Sequence, residues 1–104
     1  MTGYWLDHNG TRYPVARAET LIGRSEDCGV YLPHSQVSRI HAVVRLRQDE
    51  TLELVDLGSM NGTRLNGVRL PPRAPSAVDV GDSLAFGPVT ATIWGLDDLL
   101  AAMA

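Results

Sequence analysis

A chain of 104 residues with 44% hydrophobic content is long enough to bury one core and too short for two. A net charge of −3 and a pI near 5.4 exclude the basic stripe of a nucleic-acid binder, and no apolar run approaches the roughly 18 residues of a membrane span. The lone Cys28 excludes an internal disulfide, and the first ten residues lack the basic start and apolar middle of a signal peptide, so a cytoplasmic location is expected.

Alternation of apolar and polar residues with period two runs through most of the chain, and helical periodicity is nearly absent. Tyr4 to His8 and Thr11 to Val15 read as strands joined by Asn9-Gly10, a pair suited to the left-handed backbone of a type I′ hairpin turn. Glu19 to Gly23 and Val30 to Leu32 add two short strands. In His41 to Gln48, Ala42, Val44 and Leu46 face one way and Val43, Arg45 and Arg47 the other. Thr51 to Leu57 repeats the pattern after the polar turn Gln48-Asp49-Glu50. Asn66-Gly67 joins Thr63 to Leu65 with Val68 to Leu70 as a further hairpin.

The three prolines between Leu70 and Ser76 predict an extended surface loop rather than a paired strand. Asp82 to Phe86 and Val89 to Trp94 complete the series. From Asp97 to Met103, two acids followed by good helix formers predict either a short C-terminal helix or the start of a linker. The expected fold class is all-β: a two-sheet sandwich of about ten or eleven short strands spanning residues 1–96, with 97–104 as the helix or linker.

A rigid sandwich carries its chemistry in loops, and three loops are rich in polar groups: Gly23 to Asp27, Pro33 to His41, and Asp56 to Thr63. If their strand ends share one end of the sandwich, Arg24, Ser38, Arg39, Ser59 and Asn61 converge as a cluster of donors suited to phosphate. All nine cationic residues are arginine, whose planar fork grips phosphate with two parallel hydrogen bonds.

The run Leu21-Ile22-Gly23-Arg24-Ser25, then Val37-Ser38-Arg39-Ile40-His41-Ala42, then Val55 to Thr63 ending in Ser59-Met60-Asn61-Gly62-Thr63, then Leu65-Asn66-Gly67, resembles the forkhead-associated (FHA) family in order and spacing. The resemblance implies a module that binds phosphothreonine peptides after a serine/threonine kinase has acted. Arg24 would reach the phosphate, Ser38 would offer hydroxyl and backbone N–H, and Arg39 would close the other side. Asn61 would bind the peptide backbone beside the phosphoresidue. Gln36 lies where the family reads a residue beyond the phosphothreonine, and Met60 stands where members often carry a hydroxyl. Gly23 and Gly62 would supply turns without a Cβ, and Thr63, Asn66 and Gly67 complete the structural motif.

The resemblance implies that His41 ties loops together rather than touching ligand, and Asp56 is expected to order its loop through backbone N–H groups. His8, His34 and His41 have no metal-ligand spacing, so no metal or cofactor is expected. Ser38, His41 and Asp56 lack the strand-to-helix elbow of a hydrolase, and Cys28 has no adjacent base, so no enzyme is expected. The partner is a phosphothreonine protein or peptide, with neither nucleic acid nor membrane, and the chain is a monomer or part of a larger multidomain protein. The competing reading is a scaffold that uses a sandwich face without phosphate; Met60 leaves room for it, whereas Arg24, Ser38 and Asn61 argue for phosphate.

Overall fold

The computed structural model describes residues 3–15 and 18–98. Among them eleven strands form two sheets. The first runs β2-β1-β11-β10-β7-β8, from β1 (Tyr4–His8), β2 (Thr11–Pro14), β7 (Thr63–Leu65), β8 (Val68–Arg69), β10 (Ser83–Phe86) and β11 (Val89–Gly95). The second runs β4-β3-β5-β6-β9, from β3 (Ala18–Gly23), β4 (Val30–Tyr31), β5 (Ala42–Leu46), β6 (Leu52–Asp56) and β9 (Ser76–Val78). The pairings are antiparallel except for β3 and β4, which run parallel.

Period-two alternation turns one face of each sheet inward. Leu6, Leu84, Phe86 and Ile93 from the first sheet meet Ile22, Ala42, Val44 and Leu54 from the second, all fully buried. Each large apolar side chain so buried contributes about 1.5–3 kcal/mol relative to exposure. Asn9 and Asn66 adopt φ of 51° and their following glycines φ of 84° and 83°, which closes both Asn-Gly hairpins as their composition requires. Pro14 sits on the edge strand β2, where a missing N–H costs no ladder bond.

Two expectations need correction. The proline-rich stretch gives way to a strand at Ser76, since β9 pairs with β6 through Leu54↔Ser76, Glu53↔Ala77 and Leu52↔Val78. Only one short edge strand is built there, and three residues are too few for alternation to stand out beside three prolines. The helical segment opens at Leu96, one residue earlier than expected, as a turn over residues 96–98; the remainder of the predicted Asp97 to Met103 helix lies outside the described residues.

Candidate functional site: a loop-built anion cleft

Arg24 follows β3, residues 35–39 lie between β4 and β5, and Met60 and Asn61 lie between β6 and β7. The sandwich brings these loops together around an open cleft of about 190 Å³ lined by Arg24, Ser35, Gln36, Val37, Ser38, Arg39, Met60 and Asn61. Six of these residues carry the sequence expectation; Ser35 and Val37 add to it by adjacency.

Arg24 is exposed, and its Nε donates to the Val37 carbonyl at 3.0 Å, which aims the guanidinium along the cleft. Among the described residues no carboxylate pairs with Arg24 or Arg39, so two cationic groups face the same opening. Ser38 Oγ accepts the Met60 N–H at 3.1 Å and retains its own proton for donation. The Ser38 amide does not face the cleft, as the resemblance implied, because it donates to Nδ1 of His41 at 3.0 Å. Asn61 donates through Nδ2 to the Gln36 carbonyl at 2.8 Å, leaving its side-chain oxygen as an acceptor at the rim. Met60 is 86% exposed, and Ser59 lies outside the cleft lining.

Beneath the cleft sits a buried polar frame. His41 is fully buried at the entrance to β5; its Nδ1 accepts from Ser38, and its Nε2–H donates to the Gly62 carbonyl at 2.9 Å. These partners fix the neutral tautomer and clamp the 35–40 loop to the 57–62 loop. The ring meets Phe86 edge-on at 5.7 Å between centroids, which anchors the clamp in the core. Asp56, also buried, accepts from Gly58 N–H at 3.0 Å, Ser59 N–H at 3.2 Å, Thr63 Oγ1 at 2.7 Å and the Ser59 hydroxyl. Ser59 in turn accepts from the Gly62 amide, so its hydroxyl is consumed within the loop. Burial pushes the Asp56 carboxyl up, but the bonds from Ser59, Thr63 and Gly58 outweigh it and hold the group below the usual carboxylate range.

The two motif glycines serve different ends. Gly62, at φ 83°, occupies the left-handed region that the turn needs. Gly23 is ordinary strand backbone, and its requirement is closeness: a Cβ there would lie 2.3 Å from the Arg39 carbonyl oxygen and 3.0 Å from that of Ser38. Asn66 fixes the β7–β8 hairpin to the start of β10 by donating to Asp82 and accepting from Ser83.

Gly87 escaped the sequence reading. A Cβ there would meet the Gln36 carbonyl at 2.8 Å and Asn61 Cβ at 3.4 Å, and its amide donates to the Gly62 carbonyl. The Gly87-Pro88 pair signals a turn, but no local pattern shows which loops the turn supports. His8 and His34 share a separate open cavity of about 400 Å³, each with Nδ1 engaged by backbone, and no cluster of three metal-ligating side chains occurs among the described residues. Ser38, His41 and Asp56 form no relay, since His41 engages an amide and a carbonyl and Asp56 its own loop. Burial raises the Cys28 thiol, Asp27 adds to the rise, and the Ser25 backbone bond opposes it only in part; Sγ rests against the Arg39 carbonyl.

The sequence profile described as the FHA domain matches residues 20–87 of the chain. Human kanadaptin is 40% identical over 88 residues, covering 75% of this chain and 12% of that protein. The oxoglutarate dehydrogenase inhibitor of Corynebacterium diphtheriae is 38% identical over 78 residues, covering 75% of this chain and 52% of that one. The chain thus spans about half or less of the length of these relatives. A solved structure concerned with phosphothreonine-dependent FHA domain interactions superposes with a TM-score of 0.81 at 26% identity, covering 88% of this chain and 95% of that one. A match over more than half of the chain, on a sandwich that superposes closely, makes this chain a member of the FHA domain family.

Proposed function

We propose that this chain is a phosphothreonine-dependent peptide-binding module that recruits a partner once a serine/threonine kinase has acted on it, and that it performs no catalysis. The observation that carries this reading is the cleft itself: Arg24 and Arg39 without carboxylate partners among the described residues, beside a Ser38 hydroxyl whose proton is unspent. A phosphate brings about −1.5 to −2 charges at neutral pH and three acceptor oxygens, which matches two guanidinium forks and a hydroxyl. Asn61, pinned by Nδ2, holds its side-chain oxygen for a peptide N–H next to the phosphoresidue. Gln36 and Met60 border the path of the flanking residues.

Both ring nitrogens of His41 are committed to backbone groups, which leaves the imidazole unable to activate the neighbouring Ser38 hydroxyl and supports a binding role over a catalytic one. The name of the corynebacterial relative also speaks of inhibition rather than turnover. An oriented phosphothreonine peptide library, screened before and after phosphatase treatment, tests the reading. Selective retention that phosphatase abolishes is the expected result; retention indifferent to phosphatase contradicts it.

A further inference from the structure

The arginines of this chain are divided by position. Arg12, Arg45 and Arg47 have carboxylates at 3.7, 3.4 and 3.1 Å, in Asp7, Glu19 and Glu53, on strands or a hairpin outside the cleft. Arg24, Arg39, Arg64, Arg69 and Arg73 have no carboxylate partner among the described residues. Arg24 and Arg39 belong to the cleft. The remaining three lie on or after the β7–β8 hairpin that follows it.

Two of these three pack on the cleft loop itself. A Cβ on Gly62 would meet the Arg69 guanidinium at 2.9 Å, and one on Gly58 would meet the Arg73 guanidinium at 3.1 Å. Both glycines have positive φ, 83° and 75°, so the loop offers two bare backbone surfaces on which the planar groups rest. The backbone holds Arg73 there, since its amide donates to the Asp56 carbonyl at 2.8 Å. Arg64 lies directly opposite Arg69 across the β7–β8 pair, a like-charge juxtaposition that is unfavourable without a counter-charge. The 58–62 loop is therefore bordered by arginines of the cleft at Met60 and Asn61 and by a second arginine group at its two glycines.

We infer that Arg69 and Arg73, with Arg64 beside them, form a second anion subsite that binds a second anionic group, phosphoryl or carboxylate, on the same peptide whose phosphothreonine occupies the cleft. The inference rests on the phosphopeptide reading above. Each guanidinium carries five N–H donors, and an anion reaching both would relieve the Arg64–Arg69 repulsion. Both arginine groups border the same loop, residues 58–62, and an extended peptide advances roughly 3.3 Å per residue, so the second group belongs within a few residues of the phosphothreonine.

The test titrates peptides with one fixed phosphothreonine and with serine, glutamate or phosphoserine moved through those neighbouring positions. The unaltered chain should bind at least one phosphoserine or glutamate peptide about tenfold more tightly than its serine counterpart. Arg69→Gln/Arg73→Gln should remove that gain and leave the serine peptide's affinity within about twofold. A gain for phosphoserine alone assigns the subsite to phosphoryl groups; an equal gain for glutamate assigns it to anions generally. Should the double glutamine variant melt early, Arg69→Lys/Arg73→Lys keeps charge and stem and should lose most of the gain with the fork. No gain at any position, or a gain that survives loss of both forks, overturns the inference while the phosphothreonine reading stands. Failure of the singly phosphorylated peptide to bind overturns both.

Discussion

Nδ1 of His41 accepts the backbone N–H of Ser38 at 3.0 Å, so the residue beneath the cleft holds the backbone of a residue in its wall. The opposite ring nitrogen holds Gly62, next to Asn61. His41→Ala should strand the Ser38 amide, leave the Gly62 carbonyl with the Gly87 N–H alone, and lower stability by about 1–3 kcal/mol. Peptide binding should weaken indirectly, through displaced loops. Arg24→Ala removes an exposed side chain with one bond to backbone and should change stability by no more than about 1 kcal/mol. Denaturant melts of the two variants check the contrast; equal losses would refute the division between frame and ligand contacts.

Asp56 ties stability to pH. Its carboxyl is held low in the folded protein, so its contribution is complete above the unfolded aspartate value of about 3.9 and fades as pH falls toward and through the folded value. Asp56→Asn should cost about 1–3 kcal/mol near neutrality, and the gap to the unaltered chain should shrink as the medium is acidified below about pH 4. Paired denaturant melts from neutral to acid pH measure it. A gap that widens on acidification would contradict the sign.

Gly23→Ala should destabilise by about 1–3 kcal/mol or more, because the added methyl collides with two carbonyl oxygens on the backbone that carries Ser38 and Arg39. Gly67→Ala meets no atom within 4 Å and should cost only the strain of φ 83°, about 1–2 kcal/mol, with peptide affinity unchanged. Melting and peptide titration together separate them: only Gly23→Ala should lose affinity along with stability.

The sandwich was largely legible because alternation and Asn-Gly turns are local signals. Ala42, Val44 and Leu46 share the core side, where their alternation puts them. The strand at Ser76 was not, since its pairing with Leu54 is made across the chain and leaves no mark in three residues. At the site, the residue types of Arg24, Ser38 and Asn61 by themselves point to anion binding. What those residues do with each atom required the fold: the Ser38 amide goes to His41, and the Ser59 hydroxyl goes to Asp56. Gly23 and Gly87 show the same limit from the backbone side, because closeness to Arg39 or Gln36 is a property of the assembled loops.

The most direct measurement is calorimetric titration of one peptide in two forms, with threonine and with phosphothreonine, into the unaltered chain and into Arg24→Ala. Loss of a charge-assisted donor to phosphate costs about 1.5–3 kcal/mol, roughly tenfold to a hundredfold in affinity. The account predicts that the phosphorylated peptide binds the unaltered chain, that its threonine form does not, and that Arg24→Ala weakens binding by at least tenfold while remaining folded. Equal affinity for both peptide forms, or undiminished phosphopeptide binding by Arg24→Ala, would contradict it.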